Sequence, residues 1–211
     1  MISFHFCFDL EYFHIYNFHI LTNPFFLNYR VFIVTIFLFL VGVSISLSNQ
    51  NKINWQKVGK RAIILGTTSL IITIVTYFIF PNNWIYFGII HFIFLASIVS
   101  LPFIKHPTLS FIIATILLLL YYLNYINMHP LFEFLQPILH LPKGYTVDLA
   151  PFIPWFSIVL FGISFGGFKL YKYLNIKNNF IVQKLAFLGK HSLAIYLIHQ
   201  PILFGLFYLF T

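Results

Sequence analysis

Apolar stretches long enough to cross a bilayer dominate this sequence. A membrane-spanning helix needs about 20 predominantly apolar residues. Seven segments come up to that measure, at roughly 1–20, 31–48, 62–80, 85–103, 108–127, 152–171 and 191–210. Turn or charge chemistry separates them: TNP at 22–24, NQNK at 49–52, PNN at 81–83, KHP at 105–107 and NIKNN at 175–179. Only 8% of the residues are charged and 60% are apolar, against about 25% charged in an ordinary soluble domain. A short chain cannot hide that much apolar surface from water. A soluble globular enzyme, a disordered tail and a nucleic-acid-binding module are therefore excluded. The expectation is an all-α polytopic membrane helix bundle of seven transmembrane helices, forming one domain over 1–211. The longest stretch outside the spans, about 128–151, reads as a short interfacial helix and loop whose length Pro137 and Pro142 limit.

The net charge of +8 arises from 12 Lys and Arg against four acids. With seven spans, Lys52, Lys57, Lys60, Arg61, Lys105, Lys169, Lys172, Lys177, Lys184 and Lys190 fall on one side, and only Arg30 and Lys143 on the other. Basic loops stay in the cytoplasm, so the N-terminus is expected to be cytoplasmic and the C-terminus extracytoplasmic. The charge is then a topology signal and implies no nucleic acid. The bases at the cytoplasmic mouths can also attract anionic lipid or a phosphorylated donor. Cys7 stands alone, which excludes an intrachain disulfide. The opening MISFHFCFDLEYF has no basic n-region and an early Asp9, so a cleavable signal peptide of the usual kind is not expected. Gly162 with Gly166, and Gly42 with Ser46, are small residues at the four-residue spacing that lets membrane helices approach closely.

Ionisable side chains inside a span cost roughly 2.5–3.5 kcal/mol each on insertion scales, so each is a functional candidate. His5, Asp9, Tyr12, Tyr16 and His19 follow steps of four and three, which places all five on one stripe of the first helix. A His and a carboxylate four residues apart can hydrogen-bond, as a general base does with its orienting acid. A structural pair tying the first span to its neighbours is the competing reading. Glu11 and His14 fall on another face and suit a solvated or structural role. His91, in the fourth span, has Gly88 one turn above it; it reads either as a packed histidine or as a substrate contact. Asp148 precedes APFIPW at the mouth of the sixth span, where an acid suits a helix start and could equally contact substrate. In the seventh span, Ser192, Tyr196 and His199 share a face. His199 lies nine residues past Lys190, about 13 Å along the helix. Beside it stand Gln200 and Pro201, which cannot donate to the carbonyl of Leu197.

Five stretches resemble the bacterial members of the heparan-alpha-glucosaminide N-acetyltransferase catalytic-domain family, within the wider set of transmembrane acyltransferases. They are FHFCFDL at 4–10, FLFLVGVSISLS at 37–48, YFGIIHFIFLAS at 86–97, DLAPFIPWFSIVLFGISFG at 148–166 and FLGKHSLAIYLIHQP at 187–201. Family members begin with a Leu-Arg-Gly lead-in that this sequence lacks, so the expectation is either that Met1 is a mistaken start or that the first span is truncated. The resemblance implies transfer of an acetyl group from cytosolic acetyl-CoA to a sugar amine across the membrane, with histidine as the catalytic residue. His5 and His199 stand in the motifs that carry it.

The leading expectation is an acyl-CoA-dependent acyltransferase in a bacterial inner membrane, acting on an amine or hydroxyl of an extracytoplasmic sugar or glycan. His5 would be the general base, oriented by Asp9. His199 would position the thioester carbonyl or donate to the oxyanion. A transient acyl-imidazole is an alternative route. His91, Asp148, Tyr196 and Gln200 are the substrate-binding candidates. Lys57, Lys60, Arg61 and Lys190 are those for the phosphates of acetyl-CoA. A proton-coupled small-molecule transporter or exporter is the alternative from another class, because buried His and Asp also make proton relays. An inactive paralogue with a clipped first span is a third. No metal is expected, although His5, Asp9 and His199 are residue types that bind zinc.

Overall fold

The computed structural model describes residues 1–50, 52–142, 146, 148–173 and 179–210. Lys143 and Lys177 of the charge count lie outside the described residues, as do parts of the 128–151 loop and of the break at 175–179. Among the described residues the chain is all-helical. Its helices are α1 (Ile2–Tyr12), α2 (Pro24–Ser48), α3 (Trp55–Ile79), α4 (Ile89–Val99), α5 (Pro107–Tyr122), α6 (His129–Leu139), α7 (Phe152–Gly167), α8 (Phe180–Lys190) and α9 (Ser192–Phe210), with 3-10 turns at Leu101–Phe103 and Leu170–Tyr173.

α2, α3 and α9 are long and apolar enough to cross a membrane. α4, α5 and α7 are apolar but shorter, at 11, 16 and 16 residues. On α3, Ile63, Leu70, Ile71 and Phe78 are each more than half exposed. Apolar surface on that scale needs an apolar surrounding, as expected of an integral membrane protein.

Local chemistry sets the helix boundaries. Asn23 accepts from the Phe25 amide at 3.0 Å and Pro24 supplies the first helical residue, a favoured start; α2 therefore begins seven residues before the expected position. Asn54 accepts from the Lys57 amide at 3.0 Å and starts α3 early in the same way. α4 stops at Val99 because Pro102 cannot continue the hydrogen-bond ladder. α6 is the short helix expected within 128–151. α8, capped by Asn179 accepting from Val182 at 2.9 Å, was not anticipated.

The largest departure is the first span. α1 ends at Tyr12 after 11 residues, about 16 Å of helix. Glu11 explains the stop: its carboxylate accepts from the amides of Phe18 at 3.2 Å and Ile20 at 3.0 Å. Asn17 accepts from the amide of His19 at 3.1 Å. Side chains that capture nearby backbone groups offer the chain an alternative to helix. His14 and His19 take left-handed backbone conformations. Tyr16 and His19 are thus off the helical stripe, which keeps only His5, Asp9 and Tyr12.

Packing groups the chain into two compact units, Met1–Val34 with Leu174–Thr211, and Thr35–Tyr173. In the first, α1 lies along α9 through Phe6 against Phe207 at 5.5 Å and Tyr12 against Phe204 at 5.1 Å. In the second, Leu38, Phe92, Ala96, Val159, Leu160 and Ile163 have no more than trace exposure. Phe111 meets Phe161 at 5.5 Å between α5 and α7, and Ser164 donates to the Pro107 carbonyl at 2.8 Å. α2 and α7 touch backbone to backbone. A methyl added at Gly42 would collide with the Val159 carbonyl, one at Gly162 with the Phe39 carbonyl, and one at Gly166 would sit 2.7 Å from the Ser46 Cβ. The two small-residue pairs read from the sequence face each other.

The same substitution should therefore act with opposite signs at two glycines. Gly162→Ala should destabilise by about 1–3 kcal/mol through overpacking. Gly205→Ala in α9, where a methyl meets nothing within 4 Å, should be neutral or gain up to about 1 kcal/mol of helix propensity. Thermal midpoints of the purified protein in detergent would check this.

Candidate active site

α1 and α9 bring His5, Asp9, His199 and Gln200 together within one unit. His5 and Asp9 stand one turn apart on α1 and face α9. The rings of His5 and His199 lie 5.0 Å apart at 58°. Asp9 has no exposed surface and His199 is 8% exposed; His5 and Gln200 are half-buried. The Tyr196 ring lies 5.6 Å from that of His199, tilted at 51°.

The hydrogen bonds divide the four into two pairs. Gln200 Nε2 donates to Asp9 Oδ1 at 2.8 Å. The carboxylate expected to orient His5 thus holds Gln200 instead. His199 Nδ1 faces the carbonyls of Tyr196 at 2.6 Å and Ile195 at 3.2 Å. A carbonyl only accepts, so Nδ1 carries the proton, and in the neutral ring Nε2 carries the lone pair. Nε2 is buried without a hydrogen-bond partner, as are Asp9 Oδ2 and Gln200 Oε1. In its neutral form His199 is therefore set up to take a proton or attack, not to donate to an oxyanion as the sequence suggested. Among the described residues, no three His, Cys, Asp or Glu side chains are gathered as a metal-binding group.

His91 and Asp148 meet in the other unit, around the start of α4. His91 Nδ1 accepts from the Gly88 amide at 3.3 Å. Its Nε2 lies 2.8 Å from Thr73 Oγ1, whose own proton goes to the Ile85 carbonyl at 2.9 Å. Both ring nitrogens are thereby engaged, with Nε2 donating to Thr73. Asp148 Oδ2 accepts from the Ile89 amide at 2.8 Å, one of the orphan donors of a helix N-terminus. The acid expected at the start of the sixth span caps α4, 59 residues earlier. Thr73 was missed; no local signal marks it, because its partner is 18 residues away on another helix.

Lys57, Lys60 and Arg61 share a face of the first two turns of α3. The two lysines are exposed and Arg61 is half-buried. Lys190 is exposed at the last turn of α8 in the other unit. Removing the Asp148 cap should cost about 1–2 kcal/mol: Asp148→Ala should lower the thermal midpoint, while Asp148→Asn, which keeps the accepting oxygen, should recover most of it.

The chain matches the family model described as heparan-alpha-glucosaminide N-acetyltransferase, catalytic, over residues 1–201. No curated protein and no solved structure matches it. With nearly all of its length matched, the chain belongs to the catalytic-domain family of heparan-alpha-glucosaminide N-acetyltransferase, a family of membrane acetyltransferases.

Proposed function

We infer that this protein transfers an acetyl group from cytosolic acetyl-CoA to an amine or hydroxyl of a sugar or glycan on the extracytoplasmic side of a bacterial inner membrane. The observation that carries this reading is His199: buried, fixed as the Nδ1–H tautomer by two carbonyls of its own helix, and presenting an unpartnered Nε2. A proton-accepting nitrogen held in one orientation is what a general base requires.

In the direct route with an amine acceptor, nitrogen attacks the thioester carbonyl carbon and its proton passes to His199 Nε2. The carbon–sulfur bond then breaks, and the leaving thiolate takes that proton back. The products are the N-acetylated acceptor and free CoA. His5, 5.0 Å away ring to ring, is placed to share the proton or contact the thioester. In the alternative route the acetyl group rests briefly on Nε2 before transfer. Lys190, in the unit that holds His199, supplies a cationic group for the phosphates of acetyl-CoA, and the bias of bases to one set of loops supports a cytoplasmic N-terminus.

The test uses membranes containing the protein and acetyl-CoA labelled in the acetyl group. Labelled sugar should accumulate together with free CoA; a transporter would consume no acetyl-CoA. His199→Ala should lower turnover about 10²–10⁴-fold, the usual contribution of a positioned acid–base group. Full activity in that variant would remove His199 from the mechanism.

A further inference from the structure

The geometry points to Asp9 and Gln200 as a recognition subsite for a primary ammonium group, distinct from the histidine pair that moves the proton. This deepens the acetyltransferase reading and rests on it only for the ammonium being that of the acceptor.

Three buried atoms here lack partners: Asp9 Oδ2, Gln200 Oε1 and His199 Nε2. The two oxygens accept by nature, and Nε2 accepts in the tautomer described above. The orientation of Gln200 follows from its partner. Turning the amide over would set Oε1 against the Asp9 carboxylate, whereas Nε2 donates to it at 2.8 Å. The Asp9 bond therefore aims Oε1 as a second acceptor beside Oδ2. Three unmet acceptors suit a group that brings several donors. An ammonium brings three N–H donors; a hydroxyl brings one.

Charge points the same way. Asp9 has no exposed surface, and its one hydrogen bond is from a neutral amide. A buried carboxylate without a cation is strongly unfavourable, and a cationic partner relieves that penalty. An amine in its protonated form supplies both the charge and the donors. It would reach the site as the ammonium, held by Asp9 Oδ2 and Gln200 Oε1, and give up one proton to solvent before attack, which leaves His199 Nε2 free to take the second as the nitrogen attacks. Asp9 and Gln200 then determine which acceptor binds, and His199 determines how fast it reacts.

The experiment is a binding comparison on the full chain purified in detergent without acetyl-CoA, using glucosamine, glucose and N-acetylglucosamine as probes. Glucosamine should bind at least tenfold more tightly than either neutral sugar. Raising the pH until the sugar amine loses its proton should remove the difference. Asp9→Asn should abolish the preference while leaving the weak binding of glucose unchanged. Gln200→Leu should reduce it, and it serves in place of Asp9→Asn if that variant does not fold. Equal binding of glucosamine and glucose, binding of neither, or an intact preference in Asp9→Asn would overturn the proposal. Because no acetyl donor is present, absence of acetyl transfer by the native protein would sink the catalytic reading alone. In active membranes, Asp9→Asn should raise KM for the amine about tenfold or more with a smaller change in kcat, the reverse of His199→Ala.

Discussion

Hydrocarbon on the outside of a protein leaves its polar groups with only one another. No water reaches the middle of a bilayer to satisfy a stray amide or carboxylate, so each must find a partner inside the protein. Most buried hydroxyls of the second unit obey this rule; Ser97 Oγ, buried without a partner, is an exception. Ser69, Ser100, Ser110, Ser157 and Ser164 are buried, and each donates to a backbone carbonyl. The α4 N-terminus obeys it as well, with His91, Thr73 and Asp148 closing the donors and acceptors around Gly88 and Ile89. Against that background the partnerless atoms of Asp9, His199 and Gln200 stand out. Unlike the isolated Ser97 Oγ, they break the rule together and in one place, where a ligand can complete it.

The same constraint separates scaffold from chemistry among the histidines. His91 spends both ring nitrogens on the fold, which gives it a job in holding α3 to α4. His199 spends one on its own helix, and that bond leaves the second nitrogen's chemistry fixed. The number of nitrogens left over distinguishes two residues that look alike in sequence, each a single histidine in an apolar run.

The apolar segments, the polar stripe of α1 and the glycine pairs were legible because they depend on local composition and helical spacing. Gly42 and Ser46 repeat the spacing of Gly162 and Gly166, and the two sets do interlock. Membership of apolar spans suggested that His5, Asp9, His91, Asp148 and His199 converge; His5, Asp9 and His199 lie in one unit and His91 and Asp148 in the other. The pairing inside that cluster was not legible. Spacing alone favoured His5 for Asp9, since they are one turn apart, yet the bond goes to a residue 191 positions away. The end of α1 was missed for a related reason: an apolar run signals helix, but Glu11 reaches forward to amides at 18 and 20 and bends the chain out of it. Asp148 was read beside α7, next to it in sequence, and its bond to the first amide of α4 was not legible.

That last contact has a consequence of its own. Asp148 Oδ2 would lie 2.5 Å from a methyl at position 88, and Asp148 also binds the amide of the very next residue. One carboxylate thus fastens a long excursion of chain, comprising α4, α5 and α6, back to its own beginning. Such a closure costs little more entropy for a long loop than for a short one; the clasp at its neck needs a carboxylate at position 148 and no side chain at position 88.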